Sequence, residues 1–434
     1  MRTEGAGRPA ASPDPLAGRR ILVAITGSIA AVKMPLVVSA LAKRGAQVRC
    51  VLTPSAASLV SAVALASLSR HQCYLDADQW SHQAARPLHV ELAEWAELVL
   101  LAPLSATSLG RWVHGLADTL LASTLLATEA PVVVAAAMNT SMWQAPPVQR
   151  NWQALQSFER VLALGPAPGL LACDRQGDGR MAEPEQLLVA LESLALWGWQ
   201  PDWQGLVLLV SAGPTREVLD PARFLSNAST GLMGVLLAQA ARLRGASVQL
   251  VHGPLQVHPG LLEGLFCTPV QTAAQMQAAL TAAQGQVDAI AMAAAVADHR
   301  RVEPLAHKPS KQELGELWAE GWEQVPDLLA GLVASRPPGQ TILGFAAHSG
   351  DGLAAAREKL RRKGCDWLFA NPIDQPDAGF GSPSNQGWLL GPGGQEIKMQ
   401  PASKLAIAHQ LLTALKPPGP LPGHRVLPRA EANP

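Results

Sequence analysis

The chain has 434 residues, 48% of them hydrophobic, which is ample for two or three domains with buried cores. Lys plus Arg equals Asp plus Glu at 34 each, so no global field selects nucleic acid or an anionic membrane, and any anionic ligand must be held by local donors. Five scattered cysteines without CxxC spacing argue against a disulfide framework or a structural zinc site and for a reducing, cytoplasmic setting; neither a signal peptide nor a membrane span is expected.

Residues 1–18, polar and rich in Gly, Pro and Arg, read as a disordered tail. Strand-like runs at 21–25, 47–52, 98–101 and 132–135 then alternate with helix-like ones reaching 44, starting near 55 and covering 117–128. A linker is expected at 197–204, around Trp-Gly-Trp-Gln-Pro-Asp. A second series follows, with strands at 206–210, 247–251, 289–292, 341–345 and 366–370, helices ending at 244 and 363, a hairpin over 388–399 and a last helix at 401–415. The segment 417–434 reads as a second disordered tail. Val-, Ile- and Leu-rich strands separated by helices imply parallel sheets covered on both faces. The expected fold is therefore α/β: two tandem Rossmann-like domains, each with a mainly parallel sheet, at 19–196 and 205–416.

In each half a strand runs into a loop of small residues and then a helix. The loops are ITGSIAAVK, ending at Lys33, and SAGPTREVLDPARFLSNASTGLMG, from Ser211 to Gly234. Backbone N–H groups and the positive end of a helix dipole make such loops phosphate sites. Gly27, Ser28, Thr53, Ser105 and Met138-Asn139 all fall after strands, where open α/β sheets bind ligands. Taken singly, each hydroxyl is more often a helix cap. His89 precedes a helix-like stretch, and Cys173 lies in a Gly-rich loop too polar for a core strand, where a thiol can supply a proton.

The motifs TGSIAAVK, HVELAEWAELVLLAP, AAAMN and ACDRQGDGRM, in that order, resemble the phosphopantothenoylcysteine decarboxylase family of flavin-dependent cysteine decarboxylases. The resemblance implies FMN at Gly27, Ser28, Thr53, Ser105 and Met138, with catalytic positions at His89, Asn139 and Cys173. It also makes the chemistry intelligible. An N-acylated cysteine has no electron sink beside its carboxylate, but oxidation at the thiol-bearing carbon places the carboxylate β to a thioaldehyde. CO₂ then leaves to give an ene-thiol, which is reduced and protonated; Cys173 suits the acid, Asn139 the carboxylate, and His89 a base or positioning role. Thr107 departs from the Asn common in relatives.

The second half is similar to phosphopantothenate–cysteine ligase. Arg216, Arg223 and Asn227 add donors to its loop; Asp298 follows an apolar strand, with Lys308 ten residues later; Lys359 and Lys363 are one helical turn apart. The resemblance implies CTP contacts at Met292, Ala293, Ala294, Asp298, Lys308, Pro326, Asp327, Leu328, Leu329, Phe345, Lys359 and Lys363, with Asn227 and Lys308 serving an acyl-cytidylate step and Arg223 on a flap. The substrates would be 4′-phosphopantothenate, L-cysteine and CTP. Mg²⁺ would bridge phosphate oxygens, its protein ligands unknown. Leu232, His348, the KPSK segment and Asn371-Pro372 replace the usual Lys, Glu, KIKK and Asn-Asp; altered nucleotide affinity is expected.

Two families fused in this order imply a bifunctional enzyme of bacterial coenzyme A synthesis. Homo-oligomers are expected by resemblance alone, with trimers through the decarboxylase and dimers through the ligase. The rivals are a tandem NAD(P)-dependent oxidoreductase, against which neither loop is GxGxxG, and a non-catalytic flavin-binding regulator, against which His89, Asn139 and Cys173 are all retained.

Overall fold

The computed structural model describes residues 14–80, 86–172, 174–310, 313, 320–350, 352–375 and 378–421, in two compact units. One comprises 14–200 together with 258–264; the other holds 201–257 and the chain from 265.

The first unit is built on six strands: β1 (Arg20–Ile25), β2 (Gln47–Leu52), β3 (Cys73–Leu75), β4 (Leu98–Leu104), β5 (Val132–Ala136) and β6 (Val161–Leu164). They lie in the order β3-β2-β1-β4-β5-β6, every pair parallel. All seven residues of β4 and all five of β5 are buried, as continuous Val/Leu runs demand when helices cover both faces. A hairpin, β7 (Ala167–Leu170) and β8 (Gln176–Arg180), stands outside this sheet. The ordered chain begins before residue 19: Leu16 is fully buried and Asp14 pairs with Arg44 at 2.7 Å, which corrects the expected tail of 1–18 over residues 14–18. Chain order reverses direction between β1 and β4, and the carboxyl ends of these two strands form the crevice where such sheets take ligands.

The second unit repeats that order. Its strands are β9 (Val207–Ala212), the arms β10 (Arg216–Asp220) and β11 (Arg223–Ser226), β12 (Ser247–His252), β13 (Phe266–Pro269), β14 (Ala289–Met292), the arms β15 (His299–Arg301) and β16 (Trp322–Gln324), β17 (Thr341–His348), β18 (Trp367–Pro372), β19 (Ser384–Leu390) and β20 (Glu396–Ser403). The main sheet runs β13-β12-β9-β14-β17-β18, all parallel, and is extended by the antiparallel β19 and β20. The expected 388–399 hairpin is this last pair, longer on both sides. Residues 417–421 are also placed, with Leu421 N–H donating to Asp288 at 2.6 Å, which corrects the second expected tail over those residues; the rest of it lies outside the described residues.

Carboxylates tie down the opposite, amino-terminal edges of both sheets. Glu97 accepts the backbone N–H of Arg20 at 2.9 Å, Asp288 that of Val207 at 2.7 Å, and Asp366 that of Ile342 at 2.8 Å. Each carboxylate immediately precedes one strand and holds the start of its neighbour, so register is set at the edge away from the ligand crevice. The Arg20 N–H holds the Glu97 carboxyl below its ordinary range; burial opposes this, and the Arg20 and Arg19 charges add to the lowering. Asp288 is fully buried. Replacing it with Ala strands the buried N–H of Val207, at about 1–3 kcal/mol for a buried unpaired group, and releases the half-buried N–H of Leu421. Asp288→Ala should therefore lower the unfolding midpoint of the second unit in urea while leaving that of the first unchanged, as read by unit-specific hydrogen exchange.

Candidate active sites

A single hydroxyl spans the crevice of each unit. In the first, Thr26, fully buried directly after β1, donates to the Pro103 carbonyl at 2.6 Å and accepts the Ser105 N–H at 2.8 Å. In the second, Ser211, near the end of β9, accepts the Ala294 N–H at 3.1 Å and donates to the Met292 sulfur at 3.6 Å. Both hydroxyls fasten the loop after the first strand to the loop after the fourth. Sequence reasoning passed over them; the available signal was a hydroxyl residue at the end of an otherwise apolar run, ahead of Gly.

Around Thr26 the expected residues converge on the carboxyl edge. Gly27 lies so close to Ser55 that an added Cβ would sit 2.5 Å from its Cβ. The Thr53 and Ser105 hydroxyls accept the Ala56 and Ser108 N–H groups at 3.3 and 3.4 Å, so in this structure both cap helices, whereas the Ser28 hydroxyl does not cap. Met138 is buried and its N–H donates to the Gly179 carbonyl at 3.1 Å; a Cβ at Gly179 would meet the Met138 carbonyl at 2.2 Å. The β7–β8 hairpin thus presses on the Met138-Asn139 turn. Asn139 Oδ1 accepts the Ser141 N–H at 2.9 Å. His89, in the helix Leu88–Trp95, meets the Trp80 ring edge-on at 6.5 Å, and its Nδ1 is enclosed without a hydrogen-bond partner among the described residues; the same holds for Thr140 Oγ1. Cys173, in the connection between β7 and β8, lies outside the described residues.

In the second unit the long loop after β9 is not a plain run into a helix. It folds into the β10–β11 hairpin before the helix Leu232–Leu243 begins. Two short apolar pairs, Val218-Leu219 and Phe224-Leu225, on either side of the Asp-Pro turn at 220–221 carried that signal. At its base, Asn227 Nδ2 donates to the carbonyls of Ala295 and Val296, each at 3.1 Å. The amide therefore binds the loop of Met292, Ala293 and Ala294 rather than standing open as a donor. Arg223 is held by Asp220 at 2.6 Å and reaches the Pro309 carbonyl at 3.4 Å, beside the exposed Lys308. Arg216 stacks on Phe224, its guanidinium carbon 4.5 Å from the ring centre.

Asp298 is exposed after β14, and its charge acts on both Lys359 and Lys363. Lys359 donates to the Phe345 carbonyl at 3.4 Å, and Lys363 pairs with Asp327, whose other oxygen caps the helix of Leu328 and Leu329 by accepting Ala330 N–H at 3.1 Å. Pro326 precedes that cap. Burial lowers both lysine pKa values, with Arg362 adding to it for Lys359, while Asp298 and Cys365 oppose. The two lysines are one turn apart on the helix Leu353–Lys363 but take different partners, the Phe345 carbonyl of β17 for Lys359 and Asp327 for Lys363. The His348 ring lies against Gly352, and both its nitrogens are enclosed without a hydrogen-bond partner among the described residues. Among those residues no group of three or more His, Cys, Asp or Glu converges as a metal site, and no helix is long and apolar enough to cross a membrane.

Comparison with known proteins gives the family of both halves of the chain. The model of the Flavoprotein family matches residues 9–195, and that of the DNA/pantothenate metabolism flavoprotein C-terminal domain matches 203–417. The coenzyme A biosynthesis bifunctional protein CoaBC of Bacillus subtilis is 35% identical over 92% of this chain and 96% of its own length. The CoaBC protein of Mycobacterium bovis is 38% identical over the same shares. The chain belongs to the CoaBC family. Among solved structures, the C-terminal domain of a CoaBC protein is 29% identical, covering 50% of this chain and 96% of that one at a TM-score of 0.42.

One contact in the second crevice gives a direct test. A Cβ on Gly253, just past β12, would lie 1.7 Å from the Pro214 carbonyl oxygen, inside any van der Waals limit. Gly253→Ala must push the Gly213–Thr215 loop off β12. Hydrogen exchange should quicken at Ala295, whose N–H is bound to the Gly213 carbonyl at 2.9 Å, with the first unit unaffected.

Proposed function

We propose that the chain joins L-cysteine to 4′-phosphopantothenate with CTP in its second unit, and decarboxylates the product, 4′-phosphopantothenoylcysteine, to 4′-phosphopantetheine with FMN in its first. The observation that carries this reading is the coincidence of two family motif sets with two crevices of the same topology, in a chain matching bifunctional relatives along nearly its whole length. Neither a dinucleotide-dependent oxidoreductase nor a non-catalytic flavin regulator is favoured by these likenesses.

The first crevice suits a flavin mononucleotide. Close-set Gly27 and the Ser28, Thr53 and Ser105 hydroxyls would hold one phosphate and the ribityl chain, and buried Met138 would back the ring. The enclosed Nδ1 of His89 and Oγ1 of Thr140 are the unspent polar atoms such a ligand would meet. When bound, FMN supplies a reversible two-electron acceptor for the thiol-bearing carbon. The Asn139 amide would meet the substrate carboxylate. His89 takes or positions a proton beside it, and Cys173 provides the proton that completes the ene-thiol's return to a thiol.

In the second unit a carboxylate must gain a leaving group before an amine can displace it. Attack of phosphopantothenate on the α-phosphate of CTP gives an acyl-cytidylate and pyrophosphate; the cysteine amine then expels CMP. Met292, Ala293 and Ala294 border the base, Lys308 and Lys359 face the phosphates, and Asp298, Phe345 and Pro326–Leu329 complete the pocket with Lys363 held behind by Asp327. Asn227 keeps the hairpin seated on the nucleotide loop. Mg²⁺ would enter with the triphosphate, held chiefly by phosphate oxygens. Assembly into homo-oligomers is part of the proposal; the exposed Ile29, Val32, Leu36 and Val63 beside the flavin loop are apolar surface that an interface would cover.

Three outcomes test this. Denatured protein should release FMN and neither FAD nor a nicotinamide nucleotide, as read by chromatography of the supernatant. Cys173→Ser should still release CO₂ from phosphopantothenoylcysteine but accumulate the oxidised ene-thiol, two mass units below phosphopantetheine, because a hydroxyl is a far weaker acid than a thiol; a normal yield of phosphopantetheine removes the thiol from the mechanism. Finally, Asn227→Asp sets a carboxylate against two carbonyls and near an anionic phosphate, where like charges at about 4 Å cost roughly 4 kcal/mol. Ligation should fall by orders of magnitude with decarboxylation intact, and His89→Asn should show the reverse pattern in coupled assays. Loss of both activities from either folded variant refutes the two-site division.

A further inference from the structure

Glu183 occupies the N-cap of the helix Pro184–Trp197, yet its side chain makes no cap hydrogen bond. Ser, Thr, Asp and Asn are favoured there because a short side chain reaches back to the helix N–H groups. The longer Glu183 carboxylate instead joins two cations from two other elements. One oxygen accepts from Lys33 Nζ at 2.7 Å, and the other from Arg180 Nη2. Lys33 ends the 3-10 turn Ile29–Lys33 that follows Gly27-Ser28, and Arg180 is the last residue of β8. The carboxylate side chain is 15% exposed, so solvent screens these pairs only in part. Burial pushes its pKa up, but the hydrogen bonds and charges of Lys33 and Arg180 outweigh this and hold it below the ordinary carboxylate value.

The elements joined in this way are the two walls of the flavin crevice. On one side lies the loop that approaches Ser55. On the other lies β8, with Gly177 against Thr140 and Gly179 against the Met138 carbonyl, on either side of Asn139. None of the three charged residues belongs to the motif positions assigned to catalysis or flavin binding. We propose that Glu183 is a positioning residue for decarboxylation: through Lys33 and Arg180 it fixes the phosphate loop against the hairpin that seats Met138 and Asn139. The inference rests on the reading of this crevice as the FMN and decarboxylation site.

Full-length Glu183→Gln and Glu183→Asp proteins provide the test, with FMN affinity measured by fluorescence quenching and decarboxylation by CO₂ release. Removing the Glu183 charge leaves Lys33 without its carboxylate and Arg180 with only the longer contact to Glu263, at 3.5 Å. Glu183→Gln should weaken FMN binding and lower kcat by about tenfold each at saturating FMN, with KM for phosphopantothenoylcysteine unchanged. Glu183→Asp, which keeps the charge, should recover most of both losses. Lys33→Met combined with Glu183→Gln should cost no more than either alone, because the two act through one pair. CTP-dependent pyrophosphate release, a property of the other unit, should stay at the wild-type rate, and hydrogen-exchange protection of β1, β4 and β5 equal to that of the wild type reports correct folding of the first unit. Wild-type FMN affinity and kcat in Glu183→Gln overturn the inference, as does failure of Asp to rescue. A wild-type protein that neither binds FMN nor releases CO₂ overturns instead the reading on which it rests.

Discussion

The structure depends on one recurring constraint: in a parallel sheet all strands end at the same edge, and the loops leaving that edge must be fastened to one another without filling the crevice. Here a buried hydroxyl meets that constraint in each unit. Thr26 and Ser211 each stand at the end of their sheet's first strand and accept an N–H from the loop after the fourth, Ser105 or Ala294. A hydroxyl is the smallest group that can both donate and accept, so it ties two backbones together at close range and leaves no bulk behind. A larger side chain would occupy the space a ligand needs. An apolar one would strand an N–H within the fold.

The opposite edges are organised by charge rather than by hydroxyls. Glu97, Asp288 and Asp366 each precede a strand and accept the leading N–H of its neighbour. Stability and chemistry are thereby assigned to different ends of the same strands. This division lets Leu232 and His348 differ from the residues usual in ligases without touching the contacts that set strand register. It also explains why the two units can share a topology with no evident sequence repeat: the shared features are single residues at strand ends, and the intervening helices are free to diverge.

Strand identity was legible because buried parallel strands are unbroken apolar runs, and β2 and β14 were read to the residue. The arms were not legible in the same way. The β7–β8 hairpin is Gly-rich and polar, with no alternation for a reader to find, and its conformation is fixed by contacts with Met138 and Thr140 far away in sequence. The β10–β11 hairpin carried only two short apolar pairs around an Asp-Pro turn and sat inside what looked like a loop of small residues. Among the proposed site residues, Gly27, Ser28, Thr53, Ser105 and Met138 each follow a strand of one sheet. What position could not reveal was how each polar group is spent. The Asn227 amide is taken by two carbonyls, and Lys363 by Asp327, because these partners arise from loops that only the tertiary fold brings together.

The outer strands of the second sheet have a consequence for how copies of this chain can meet. The edge strand β13 ends in Pro269, and the other edge strand, β20, contains Pro401 among residues that include Glu396 and Lys398. Proline has no N–H to offer an incoming strand, and charged side chains on an edge must be matched or stripped of water before another strand can pair there. Each outer edge therefore offers a neighbour's backbone an interrupted ladder, and open-ended β-stacking is disfavoured by two imino acids.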